Sequence, residues 1–276
     1  MKKYIALLLA MMMVFALCAC SSGNDSAKND KPIVINESLG AEQYGIAFRA
    51  DDQETCDAIE AAVAQLVANG TYAEIAANYP EIVDNLIFLQ EDAPEAKEIE
   101  KSSRTFTMGI DPEYPPFSYL GDDGEYTGFD VEICKAACDL LGWDFKVFEV
   151  NWDQKLVQLD AGECDCVWSG MTILDSMIDA GYVLSAPYYY NTQVLVVKES
   201  SGISSSADLE GKTVAVQLGT SGEALLAEDG DLADLSASFG ELITCDSFLK
   251  CFTELEGGAV DAVFVDLPVA ENYVNK

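Results

Sequence analysis

Two aspartates stand where apolar runs stop. Asp111 follows Thr105 to Ile110, in which Phe106, Met108 and Ile110 alternate with Thr105, Thr107 and Gly109, the period-2 pattern of a strand with one apolar face. Pro112, Pro115 and Pro116 supply no ladder N–H, so the chain must leave the sheet there in an extended loop that carries Tyr114. Asp266 closes the run Ala262 to Val265 in the same way. A carboxylate at the carboxyl end of a strand lies where open α/β sheets place their ligands. Ser221, in Gly219-Thr-Ser-Gly222, sits at a helix start, where N–H groups and the dipole favour an anion. Carboxylates for a cation, aromatic walls (Tyr114 and Trp152) and hydroxyl or N–H donors for an anion make a receptor for a small polar solute. The chain has no histidine, and so neither a Ser-His-Asp set nor a histidine metal motif. The expectation is binding without covalent chemistry, with no metal and no cofactor. Each residue has a plainer role when taken alone: Asp111 in a turn, Tyr114 or Trp152 in the core, Thr172 and Ser221 as caps. Their joint placement at strand ends is what carries the site reading.

The elements that must hold these groups alternate. Strands are expected at 32–35, 44–48, 145–150, 164–167, 194–197, 214–216 and 262–265, separated by helical patterns, which implies βαβ units and mostly parallel sheets. After the turn Gly121-Asp-Asp-Gly124, Asp130 is expected to N-cap a helix with Ile133, Ala137 and Leu140 on one face, ended by Gly142. Ile59, Val63 and Leu66 mark another helix, closed by Asn69-Gly70. Thr71-Tyr-Ala-Glu74 reads as a capping box for the next, which runs through Ile75 and Tyr79 and stops at Pro80.

A net charge of −33, from 48 acidic and 15 basic residues, argues against nucleic acid and anionic membrane surfaces as partners. Met1-Lys-Lys3 and the apolar run from Ile5 to Ala19 form a secretory signal, residues 1–19, and Leu17-Cys-Ala-Cys20 looks like a lipobox with Cys20 as the lipidated thiol. Residues 20–30 would then be a lipid-anchored linker, tethering an exported protein to the outer face of the cytoplasmic membrane. Of the nine cysteines, Cys56, Cys134, Cys138, Cys164, Cys166, Cys245 and Cys251 remain; an odd set cannot all pair within one chain, and buried apolar thiols are the expectation.

Gly109-Ile-Asp-Pro-Glu-Tyr-Pro-Pro-Phe117, Gly128-Phe-Asp130, Asn151-Trp-Asp153, Ser169-Gly-Met-Thr-Ile173, Pro187-Tyr188, Gly211-Lys-Thr-Val-Ala-Val216 and Gly258-Ala-Val-Asp-Ala262 with Asp266 together carry a resemblance. The chain resembles the solute-binding proteins of family 3, the amino-acid-binding receptors of ABC importers. The resemblance implies a two-lobe α/β fold of the type II periplasmic-binding-protein kind, and the capture of an amino acid or related amine-bearing solute by lobe closure for an ABC permease, as a monomer. By position in the family, Asp111 reads a ligand's distal group and Tyr114 and Trp152 are stacking walls. Ser169, Gly170 and Thr172 form the rim for the α-amino and α-carboxylate groups, Ser221 is an anion donor, and Asp266 accepts the α-ammonium. Alternatives are an enzyme on the same fold, such as a dehydratase, or the sensing half of a membrane receptor.

Two departures from the family stand out. Its closing segment, "YGIAFR" followed by two helices around "GTY", here comes first, from Tyr44 through Tyr79, so the chain resembles a circular permutant. Lobe 1 would then comprise 46–89 and 104–190, lobe 2 would comprise 31–42 and 196–276, residues 90–103 would be the new connector, and crossovers at 39–44 and 190–196 the hinge. The second departure is Met177, at the place where the family carries an arginine for the ligand carboxylate. No arginine occurs from Thr105 to Lys276, and Lys155 is the nearest basic residue in sequence. Carboxylates and aromatic walls without a guanidinium also suit a cation that lacks a carboxylate.

Overall fold

The computed structural model describes residues 30–90, 94–96 and 98–275. The signal segment 1–19 and Cys20 lie outside the described residues. Ten strands form one twisted sheet: β1 (Pro32–Ile35), β2 (Ala41–Phe48), β3 (Thr105–Ile110), β4 (Asp144–Glu149), β5 (Cys166–Thr172), β6 (Val183–Leu184), β7 (Tyr189–Lys198), β8 (Thr213–Gln217), β9 (Glu241–Cys245) and β10 (Ala262–Asp266). The order along it is β9-β8-β10-β7-β2-β5-β3-β4, with β1 on β7 and β6 on β2.

The sheet has two halves, and two strands join them. In one half β8 pairs in parallel with β9 and β10; in the other β3 pairs in parallel with β4 and β5. Between them the pairing is antiparallel. β7 lies against β10 through Gln193 to Val197 and against β2 through Tyr189 to Thr192, while β2 continues onto β5. The expectation of mostly parallel pairing is corrected here: both ends of the sheet are parallel but its centre is antiparallel, because the two crossing strands run opposite to their neighbours. Strands β1 and β2 are integral to the sheet, and β1 and β10 flank the same strand, β7. Residues 32–48 are therefore no separate domain.

Alternation decides which side each strand residue faces. On β7, Leu195 and Val197 pack with Val214, Val216 and Phe264 on one face, and Val194 and Val196 join the larger cluster on the other. Helix Phe248–Gly257 buries Phe248, Cys251, Phe252 and Leu255 at helical spacing, capped by Ser247, whose hydroxyl accepts from the Lys250 N–H. Helix Gln53–Asn69 buries Ile59, Val63 and Leu66 and ends at Gly70 in the left-handed region, φ 89°.

Two expected caps are absent. Helix Phe129–Leu141 starts two residues early, with Gly128 as its cap, and Asp130 is fully buried inside the first turn rather than capping it. The first N–H groups of that helix are taken instead by the proline loop, Phe129 N by Pro116 O and Asp130 N by Phe117 O. Likewise Thr71 begins helix Thr71–Ala76 without a side-chain cap; Asn69 Oδ1 accepts the Thr71 N–H, and the helix ends at Ala76, short of Tyr79. In both cases the preceding residue is a glycine with positive φ that turns the chain into the helix by itself.

Gly128 locks the proline loop to the helix. It has φ 117°, and a Cβ there would lie 2.4 Å from Phe117 O. Gly128→Ala is expected to cost on the order of 1–3 kcal/mol through backbone strain, read as a lowered denaturation midpoint; an unchanged midpoint would show that the loop can move aside.

Candidate functional site

The cleft is built where the two crossing strands meet the end of β10. Asp266 is buried at that strand end, and its Oδ1 accepts from Tyr44 Oη (2.9 Å), Asn191 Nδ2 (2.6 Å) and Gln193 Nε2 (2.8 Å). The same two amides reach Glu42 Oε2, at 3.1 Å from Asn191 and 3.2 Å from Gln193, and Thr172 Oγ1 donates to that oxygen at 3.0 Å. Two carboxylates thus share donors from β7. Burial first, and then the charge of Glu42, push the Asp266 carboxyl up to about 7. Tyr44 Oη also meets Tyr114 Oη at 2.8 Å, which ties the aromatic wall to this cluster.

That wall is flat and doubled. Tyr114 and Trp152 are parallel within 9° at a centroid distance of 6.5 Å, and Tyr114 packs further against Phe117 and Phe248. Gly170 makes room for it: at φ 55°, a Cβ would lie 2.3 Å from the Tyr114 ring. The Gly170 N–H is held by Asp130 Oδ2 at 2.7 Å, an oxygen that also accepts from Tyr188 Oη. Burial pushes the Asp130 carboxyl up to about 7. Its site is within the protein, behind the rim it supports.

Seven of the nine expected residues, Tyr114, Trp152, Gly170, Thr172, Met177, Ser221 and Asp266, line one cavity of about 30 Å3 between the two halves. Asp111 and Ser169 do not line it. The Asp111 carboxyl is buried and raised by desolvation, with Oδ2 accepting from Gln217 Nε2 of the opposite half at 2.7 Å. Ser169 is fully buried, and its hydroxyl accepts from the Asp111 N–H and meets that of Ser118, so it holds the loop. Ser221 Oγ lies 3.2 Å from Thr172 Oγ1. Its helix, Ser221–Leu226, is capped by Thr220, and the Gly219 N–H is already bonded to Glu223 Oε2.

Sequence reasoning missed Glu42, Tyr44, Asn191, Gln193 and Gln217, and passed over Lys155, which lines the same cavity. Lys155 Nζ donates to Trp152 O (3.1 Å) and to Gly219 O (2.6 Å) across the cleft. Met177 is buried among Val150, Trp152 and Leu159. A larger cavity of about 620 Å3 lies behind Val63, Ala64, Phe88 and Phe129. It too is lined by carboxylates, rings and a hydroxyl, but Glu60 is bonded to the Ala186 N–H, Asp57 to Gln53 and the Ser185 hydroxyl to the Ile46 N–H and Ala186 O, so these three polar groups already have partners within the protein.

The family model for bacterial extracellular solute-binding proteins, family 3, matches residues 106–250. The chain belongs to that family. Its fold is the two-lobe α/β type II periplasmic-binding-protein fold. The L-cystine-binding protein TcyJ of Escherichia coli (strain K12) is 35% identical over 178 residues, covering 64% of each chain. The arginine-binding extracellular protein ArtP of Bacillus subtilis (strain 168) is 31% identical, over 63% of this chain and 66% of that protein. The chain thus spans just under two thirds of the length of these curated relatives. Among solved structures, a substrate-binding protein of an ABC uptake transporter from Streptococcus pneumoniae with bound histidine shares 28% identity at TM-score 0.57, over 62% of this chain and 69% of that one. An ancestral amino-acid-binding protein described as a precursor of cyclohexadienyl dehydratase shares 32% identity at TM-score 0.55, over 62% and 74%. The family members matched by sequence are binding proteins that work outside the cytoplasm. Among the described residues no helix is long and apolar enough to cross a membrane.

The buried carboxylate gives a signed prediction. The folded-state value of Asp266, about 7, lies above the unfolded value, so folding favours its proton. Its contribution is neutral below about pH 4 and becomes destabilising as pH rises to 7. Asp266→Asn should therefore gain stability relative to the parent between pH 4 and 7, on the order of a few kcal/mol at about 1.4 kcal/mol per unit. Parallel denaturation curves at pH 4, 5.5 and 7.5 check this, and a constant difference between the two proteins would refute it.

A second prediction concerns the approach of the two halves. A Cβ on Gly219, whose φ is 75°, would lie 2.6 Å from Asp153 Cα. Gly219→Ala should hold the halves apart and weaken solute binding, with a stability loss of about 1–2 kcal/mol from the left-handed backbone, as calorimetric titration and melting would show; unchanged solute binding would refute the close approach.

Proposed function

We propose that this protein captures an amino acid or related amine-bearing solute between its two lobes and delivers it to an ABC permease, from the outer face of the membrane to which Cys20 is lipid-anchored. The observation that carries the reading is the buried Asp266 carboxylate, which sits where the strands connecting the lobes cross and lines the same cavity as the Tyr114 and Trp152 rings and the Thr172 and Ser221 hydroxyls. A desolvated carboxylate is costly, and a cation with an apolar flank repays it through ion pairing and contact with ring faces. Relatives whose names specify cystine and arginine, and a neighbour holding histidine, support an amine-bearing solute. The reading is binding without turnover, supported by sequence relatives whose names specify binding proteins.

A thermal-shift screen over the common L-amino acids, L-cystine and their amines tests this. A true solute at 100 times its dissociation constant should stabilise by about 2.7 kcal/mol, and product analysis after prolonged incubation should return it unchanged. Asp266→Asn should weaken that solute by on the order of 2–5 kcal/mol. If nothing in the screen raises the melting temperature, the reading fails.

The order of the chain is read as a circular permutation of the family's. Strands β1 and β2 precede the residues matched by the family model, yet each completes a half of the sheet. A protein rejoined as 104–275 followed by 30–90 should fold and bind the same solute, since the sheet pairs would all be retained. Loss of folding in the rejoined chain would refute the permutation.

A further inference from the structure

Lys155 is a cation without a countercharge. It opens helix Lys155–Asp160 and lines the cavity beside Thr172 and Ser221. Its Nζ carries three donors. Two contacts are visible, both neutral carbonyls, Trp152 O in one lobe and Gly219 O in the other, and the ammonium lies 4.7 Å from the Trp152 indole centroid. The ion pairs among the described residues are Arg49 with Asp52 and Asp165, Arg104 with Asp165, and Lys250 with Glu254; none includes Lys155. Asp153, Glu223 and Asp111 act on it only from beyond ion-pair distance, and burial outweighs them, lowering its pKa to about 8.

Both arginines among the described residues are committed elsewhere. Arg104 is held by Thr55, Asp165 and the Trp143 ring face, and Arg49 by Asp52 and the carbonyls of Leu159 and Cys164. Met177 is packed into an apolar cluster. The Gly219 N–H is bonded to Glu223. A solute carboxylate entering this cavity meets one cation, and hydroxyls beside it.

We propose that Lys155 receives the carboxylate of the captured solute while Asp266 takes its ammonium, so that the cleft selects zwitterionic α-amino acids over the corresponding decarboxylated amines. This rests on the solute-binding reading above and names the residue that does the work of the family's arginine. The third N–H of Lys155 makes a charge-assisted bond to the carboxylate beside its contacts to the two carbonyls, and the Ser221 hydroxyl, which accepts from Thr172 Oγ1, can donate to the second oxygen. Because Lys155 already reaches Gly219 across the cleft, the same ammonium would tie the bound carboxylate to both lobes.

The test compares acid and amine on the intact protein. Whichever amino acid the screen finds is titrated calorimetrically against its own decarboxylated form, arginine with agmatine, histidine with histamine or cystine with cystamine, on the parent, Lys155→Met and Lys155→Arg. The parent should prefer the acid by roughly tenfold or more. Lys155→Met should lose that preference by weakening the acid alone, and Lys155→Arg should keep it. A residue that only supports the fold would weaken acid and amine alike, and that result overturns the assignment. A parent that binds the amine as tightly as the acid overturns it too, while leaving the solute-binding reading intact. If neither acid nor amine binds, the solute-binding reading falls, and the role of Lys155 with it.

Discussion

The arrangement depends on keeping one carboxylate, that of Asp266, dry. In an apolar interior an isolated charge is expensive, and the chain offsets this by placing three donors on a single oxygen, Tyr44 Oη, Asn191 Nδ2 and Gln193 Nε2. Those donors come from β2 and β7, the two strands that pass between the halves of the sheet. The electrostatics of the site and the mechanics of the junction therefore reside in the same residues. β7 makes its partner change between Thr192 and Gln193, pairing with β2 before that point and β10 after it. Any rotation of one half against the other has to be absorbed there, one residue from each of the amides that hold Asp266. Glu42 adds a second carboxylate to the same amides, so the cluster is electron-rich even by the standard of this acidic chain, and a cation is what it lacks.

Much of this frame was legible in the residues, and the reason differs from place to place. The strand before Asp111 and the one ending in Asp266 were readable because period-2 alternation and terminating prolines are local facts. Their position at strand ends follows from the same signals. Asp130 was misread for an equally local reason: a polar residue before an apolar helix looks like a cap, and nothing nearby reveals that Gly170, forty residues on, needs its carboxylate. Asn191 and Gln193 read as ordinary polar residues of a strand, and Glu42 as one more acid among 48. They become a site only through pairing across 75, 73 and 151 positions. No periodicity can report that. The antiparallel centre of the sheet was hidden likewise, since strand direction is a property of pairs.

The cysteines show the opposite case, in which composition alone was enough. All seven of those described are free and buried. Burial pushes the thiols of Cys56 and Cys164 up to about 12 and raises those of Cys134, Cys166 and Cys251 as well, so the thiolate needed for oxidation or metal binding is suppressed. Among the described residues no cluster fit to hold a metal occurs. They act as small apolar side chains, six of them in the larger core with Met108, Phe106 and Ile133, and Cys164 in the cluster that holds Met177.

The exchange of an arginine position for Met177 is best understood from what surrounds it. Met177 is buried with Val150, Leu159 and Val167, in a cluster that Trp152 also joins while lining the cleft. A guanidinium there would need partners for five N–H groups, and away from the cavity that Met177 lines its surroundings supply apolar atoms. A lysine approaching from the helix after Trp152 solves the same problem differently. Its ammonium lies over the indole, whose ring face attracts it. Its charge emerges beside two hydroxyls and two carbonyls instead of inside the core. The cost is directionality, because an ammonium is a point charge and cannot form the paired bonds of a planar fork. The hydroxyls of Thr172 and Ser221, 3.2 Å apart, restore part of it by fixing where the second oxygen of a carboxylate can lie. Selectivity in this cleft then comes from the spacing between one acid at the strand crossing and one base at the rim, with the aromatic pair between them setting the thickness of what fits.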